Sequence, residues 1–321
     1  MRFGLLSALV LCLTHLAIAQ PLLLVLNKVD NELAIIDPDA MKILAKIETG
    51  VGPHEVCVTS DGKLAIVANY GTAQVVGKSL SVIDLATRKV LRVVDTSPLK
   101  RPHGLAEADG KVWFTSETSA AVGRYDPATD KVDAIIGTGQ GLSHMVVRDA
   151  KSGKLFTANI MNGSVTMLET KGPHPKPVQI AVHKEPEAIA ISPDGGSVWV
   201  GHRKGGDIVV IDTKTRQATQ TIECGGVPIR LAFTPDGKRV LASEAEGGYV
   251  VAFDATTFKE TGRVSVGNTP VGILATPDSK RAFVAVTGEG KVACVDLETM
   301  KVTSSLETGN QPDGVAWVEG K

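Results

Sequence analysis

The feature that most restricts this chain is a repeat of about 42 residues. Seven segments open on a proline, or once a serine, and continue through an apolar run that ends at a turn. They start at Pro53, Pro102, Ser143, Pro186, Pro228, Pro270 and Pro312, in steps of 49, 41, 43, 42, 42 and 42 residues. Each unit reads as four short strands. In the fifth these span 229–234, 239–243, 248–254 and 260–266, with Pro235-Asp236-Gly237-Lys238 as the first turn. Strand-length apolar runs between Pro, Gly and Asp punctuation are what hairpin-linked strands produce. Four-stranded units at this spacing predict propeller blades and not a helical solenoid.

The two ends of the chain complete the count. Residues 22–49 supply three strands with no first strand before them, and residues 313–318 supply a first strand with nothing after it. Joined, they make a seventh blade and leave no open edge in the ring. The expected fold is all-β: a seven-bladed β-propeller of four-stranded blades, closed by N- and C-terminal strands that share one blade.

Residues 1–19 are read as a secretory signal peptide. Arg2 precedes an apolar run from Phe3 to Ile18, and Ala17-Ile18-Ala19 ends it, so cleavage is expected between Ala19 and Gln20. A membrane anchor fits less well, because Thr14 and His15 interrupt a run already short for a spanning helix. The remainder, 20–321, is expected to be a single propeller domain, monomeric, periplasmic or secreted, with no integral membrane segment. Cys57, Cys224 and Cys294 fall in different blades and are read as free thiols. With 34 Lys and Arg interspersed among 35 Asp and Glu, the chain lacks the basic footprint of a nucleic-acid partner.

Segments such as Ile191-Ser192-Pro193-Asp194-Gly195, Val67-Ala68-Asn69-Tyr70 and Ser81-Val82-Ile83-Asp84 resemble the YVTN (YncE-like) family of bacterial β-propellers, over essentially all of residues 22–318. That resemblance implies the architecture and is nearly silent on activity. The fold family includes lactonases, a lyase, haem-d1 domains and plain binding or surface proteins, so function has to be read from a site.

Function is expected where the repeats disagree. An Asp recurs at 37, 84, 126, 212, 254 and 296, with Glu169 in the third blade, where the third strand turns into the fourth. Such recurrence reads as turn chemistry. The opposite face, called the top, is irregular. The residue after the aligned start lies on the channel rim, and around the ring it is His54, His103, His144, Glu187, Ile229, Val271 and Asp313. Three histidines at one register followed by a glutamate point to a divalent metal ion, with zinc, copper, nickel and iron all open. His54, His103, His144 and Glu187 are the expected ligands. Glu187 could instead be a general base, and Glu117 an acid, base or outer-shell partner that fixes an imidazole.

Arg230, Arg203, His202, Tyr70, Asn159, Glu244 and Asp313 are the expected substrate-binding groups. The two arginines are suited to a carboxylate or phosphate, or else to a rim ion-pair network. Ile229, Val271 and Val286 would form an apolar wall. The loop 71–78 is read as a partial lid or a neutral insertion. If the protein is an enzyme, the expected chemistry is metal-dependent hydrolysis, lactonase-like, or elimination on a small anionic molecule. The alternative is a non-catalytic scaffold for an extracytoplasmic protein.

Overall fold

A computed structural model describes residues 20–170 and 176–320. Residues 1–19, for which a signal peptide is expected, and His174 lie outside the described residues. Seven four-stranded antiparallel sheets form the ring. The fifth blade uses Pro228–Phe233, Arg239–Glu244, Tyr249–Asp254 and Glu260–Ser265, within a residue of the sequence reading at each end. In the closing blade Pro312–Val318 lies beside Leu22–Asn27, followed by Glu32–Asp37 and Lys42–Glu48. Leu22 pairs with Val318 and Val25 with Val315. Among the described residues no helix is long and apolar enough to cross a membrane.

The apolar residues form seven clusters, each between two neighbouring blades. Period-two alternation explains this. Leu23 and Val25 pack toward the sixth blade, while Leu24 and Leu26 pack toward the first. Middle strands therefore read as continuous hydrophobic runs, because both faces are covered. Trp199 and Phe253 anchor the contact between the fourth and fifth blades.

The recurrent carboxylates do what the repeat implied. Asp37, Asp84, Asp212, Asp254 and Asp296 each accept hydrogen bonds from backbone amides two or three residues on. That local bonding makes the bottom turns scaffold. Cys57, Cys224 and Cys294 are free thiols, and burial pushes the Cys224 thiol up to about 12.

Candidate functional site

One irregularity, present in every blade, builds the channel mouth. The innermost strands are Pro53–Val58, Pro102–Ala108, Ser143–Arg148, Pro186–Ile191, Pro228–Phe233, Pro270–Ala275 and Pro312–Val318. Each carries one extra residue against its partner just after its first position. A β-bulge leaves that residue unpaired and re-aims side chains. His54, His103, His144, Glu187 and Asp313 all sit in these bulges.

The imidazoles form an arc. Ring centroids lie 5.0 Å apart for His54 and His103, and 3.9 Å apart for His103 and His144. Tyr70 stands 4.4 Å from the His54 ring. Glu117 ties the arc together, accepting from the Tyr70 hydroxyl on one oxygen and bonding His144 Nδ1 with the other. That fixes the His144 ring and turns Nε2 toward Glu187, whose Oε1 is 3.6 Å away. His144 Nε2 and His103 Nδ1 are both buried without a hydrogen-bond partner. One ligand atom each from His103, Glu117 and His144 lie within 4.8 Å of one another. His54 does not join that set. Its Nδ1 bonds the Gly52 carbonyl at 3.0 Å.

Below the histidines the channel is crossed by a buried ion network. Arg230, in the fifth blade, donates from Nε and Nη2 to Glu55 of the first, at 3.1 and 2.7 Å. Its Nη1 bonds the Ile229 carbonyl at 2.9 Å, and Asp313 lies 3.8 Å away. Lys28 closes on Asp313 at 3.2 Å. Burial pushes the Glu55 carboxyl up, although Arg230 pulls it back. Burial also opposes Asp313, but Lys28 and Arg230 hold that carboxyl below its ordinary range.

Several expectations for individual residues need correcting. Arg230 is not a free clamp for an anion, because its guanidinium is committed to Glu55. Arg203 is half-exposed at the rim and pairs with Glu187 at 3.1 Å. Asn159, His202 and Glu244 do not reach the channel. Each is the last residue of a second strand, paired with the aligned start, and alternation turns it outward between blades. Asn159 bonds Ser143, Thr157, Ser164 and Thr166, and Glu244 accepts from the amides of Val227, Glu246 and Gly247. Val286 is likewise core and not channel wall. Tyr70, Glu117 and Arg203, one residue further on, do face the mouth.

A cleft of about 570 Å³ opens beside His54 and Tyr70, lined also by Lys28, Arg101, Thr72 and Ala73. The loop 71–78 thus walls the cleft. Arg101 lies over the Tyr70 ring at 4.8 Å and donates to the Thr72 carbonyl at 2.9 Å. Arg101 was not among the expected binding groups. Comparing the residue before each aligned start (Gly52, Arg101, Leu142, Glu185, Val227, Thr269, Gln311) would have shown it as the only cation there.

Burial holds the His103 imidazole well below its ordinary range, and the neighbouring His144 and His54 add to this. Burial also lowers His54 and His202, against Asp313 and Asp207 respectively. The folded chain therefore binds fewer protons than the unfolded one just below 6.5, the ordinary imidazole value. This stabilisation is complete above that pH and is lost on acidification. In chelator, the melting temperature is expected to fall between about pH 7 and about pH 5, with a shallower slope in His103→Gln. A melting temperature that stays flat or rises on acidification would contradict the neutral, buried imidazoles.

The ring of blades with a polar, bulge-built channel mouth defines a β-propeller carrying a candidate ligand pocket on one face. The chain matches the YNCE-like beta-propeller family over residues 6–170, and it belongs to that family. Antigen Lp49 of Leptospira interrogans is 28% identical over 181 residues, which is 49% of this chain and 38% of that protein. The chain thus spans well under two thirds of that relative. Three solved structures share the fold at low identity. Kuenenia stuttgartiensis hydrazine synthase is 15% identical with a TM-score of 0.74, over 90% of this chain and 99% of that one. Dihydro-heme d1 dehydrogenase NirN, in complex with DHE, is 16% identical at 0.65, over 92% and 74%. The Cps50 (Swd1) propeller domain of Myceliophteria thermophila is 12% identical at 0.73, over 85% and 91%. At these identities the likeness concerns the fold alone.

Proposed function

We propose that this propeller binds a divalent transition metal at the channel mouth and takes a small anionic ligand in the adjoining cleft. The observation that carries the reading is the pair of buried, unpartnered nitrogens, His103 Nδ1 and His144 Nε2, beside Glu117 and Glu187. Unpaired polar atoms in such positions cost stability unless something occupies them. His103 and His144 are the nitrogen donors, Glu187 is the carboxylate facing the free nitrogen of His144, and Glu117 orients that ring from behind. Bound metal would act there as a Lewis acid. Lys28 and Arg101 supply the positive charge of the cleft, and Tyr70 and His54 supply its floor.

Elemental analysis of the purified protein tests the reading. The expected result is one metal equivalent fewer in His103→Ala/His144→Ala than in the parent chain, with fold retained by circular dichroism. A double variant that carries as many equivalents as the parent, or a parent chain that binds none after zinc or copper loading, would leave the non-catalytic scaffold as the better account.

A further inference from the structure

A second cluster lies away from the channel, between the third and fourth blades. His202 ends the strand Ser197–His202, Asp207 opens Asp207–Asp212 opposite it, and His183 follows Val178–Ala181 of the preceding blade. One ligand atom from each of the three lies within 4.8 Å of the others. His202 and Asp207 are buried, while the His183 side chain is half-exposed.

The repeat supplies a control for this cluster. At the position of His202 the other blades carry Asn27, Asn69, Ser116, Asn159, Glu244 and Val286. Opposite these stand Glu32, Ser79, Ala121, Ser164, Tyr249 and Lys291. The place of His183 is a glycine everywhere except Ser97, as at Gly50, Gly139 and Gly225. In the first, second and third blades this position is closed by neutral clasps. Asn69, for example, donates to Ser79 and Ser81 and accepts from the Gly50 amide. A clasp needs one amide and one hydroxyl. At the junction of the third and fourth blades all three positions change, and all three become metal-ligand types.

The contacts fit a shared cation better than a clasp. His183 Nδ1 is hydrogen-bonded to Asp207 Oδ2, and Nδ1 of His202 faces the other oxygen of the same carboxylate. His202 Nδ1 comes within 2.9 Å of Asp207 Oδ1, yet that oxygen has no hydrogen-bond partner among the described residues, and Nδ1 makes a 3.3 Å contact with the Asp207 carbonyl. His202 Nε2 is buried and unpartnered as well. Two imidazoles and one carboxylate, with solvent access on the His183 side, leave coordination positions open for water or a small ligand.

We propose that His183, His202 and Asp207 form a second divalent-metal site, independent of the channel mouth and selective for borderline ions such as zinc. Equilibrium dialysis of the chelator-stripped protein against zinc, read by elemental analysis, tests it. The half-exposed His183→Ala and the blade-three transplant His202→Asn/Asp207→Ser are the variants, the second restoring the pair found as Asn159 and Ser164. Each is expected to lose one zinc equivalent, or to bind it more than about 100-fold more weakly, and to lose the accompanying rise in melting temperature. His103→Ala/His144→Ala should keep that equivalent. Zinc binding unchanged in both blade-four variants, or abolished by the channel variant alone, would overturn the assignment. A single equivalent that responds only to the blade-four variants would uphold this site and sink the channel reading.

Discussion

A chain ending at Gln311 should fail to form a stable ring. The missing segment, Pro312–Val318, is the innermost strand of the seventh blade, and every other strand among the described residues already has its own place in a sheet. Leu22–Asn27 would lose its inner hydrogen-bonding partner along its whole length. Val318 would leave the cluster shared with the first blade, while Val315 and Trp317 would leave the cluster shared with the sixth. Two neighbouring contacts open at once, so the damage is not confined to one blade. Unpaired ladder groups and bared apolar faces together cost more than about 5 kcal/mol, comparable with the whole stability of many domains. The expected readouts are loss of the cooperative thermal transition and a shift of the product into the insoluble fraction. A circular permutant joining residue 320 to residue 20 and opened at the turn between Gly237 and Lys238 should fold, because it keeps every strand. Truncation that leaves the transition within a few degrees of the full chain would show that the closure contributes little.

The ring is also tight at its centre, which explains one pattern in the inner strands. A Cβ at Gly272 would meet the Asp313 carbonyl at 1.9 Å, and one at Gly314 would meet the His54 carbonyl at 2.4 Å. Glycine at the second bulge position lets adjacent inner strands approach backbone to backbone. In the first and fifth blades that position instead carries the charges that cross the channel, Glu55 and Arg230, and in the third it carries Met145, packed against the apolar cluster there.

Much of this was readable from the sequence because a repeat is its own alignment. The blade count, the shared seventh blade and the turn-bound Asp residues all follow from spacing, and one register brought His54, His103 and His144 to the rim. The finer geometry did not follow. Simple alternation assigns Asn159 and Glu244 to the mouth only if the end of each second strand is treated as one position, whereas two successive residues there point opposite ways. The bulge was invisible for a related reason. An extra residue in an inner strand leaves the 42-residue period intact, so spacing cannot report it. The spacing gives no sign of the His183, His202 and Asp207 cluster, because it joins a strand exit of one blade to a hairpin of the next. Pairing across blades is set by packing, not by local pattern.

The cross-channel ion network sets the second large effect. Arg230→Met is expected to destabilise the protein by about 3–5 kcal/mol, the usual cost of leaving a buried charge without its partner. Glu55 and Asp313 would both lose the guanidinium, and among the described residues Lys28 would remain as the ion-pair partner of Asp313 alone. Adding Glu55→Gln should recover part of that loss, since the amide removes one stranded charge, and the coupling in the double-mutant cycle should exceed about 1 kcal/mol. Urea denaturation gives these values directly. Equal stability of Arg230→Met and the parent chain, or additive effects of the two changes, would mean that the network is solvated and contributes little. The same substitution reaches the pocket above. Arg230 is one of the charges that lower His54 and His103, so its removal should raise both imidazoles toward their ordinary range. A titration of the histidine ring protons by NMR would register that rise even if the variant folded as well as the parent. The plug below the pocket therefore helps to keep the imidazoles neutral, and neutral imidazole is the form that binds a metal.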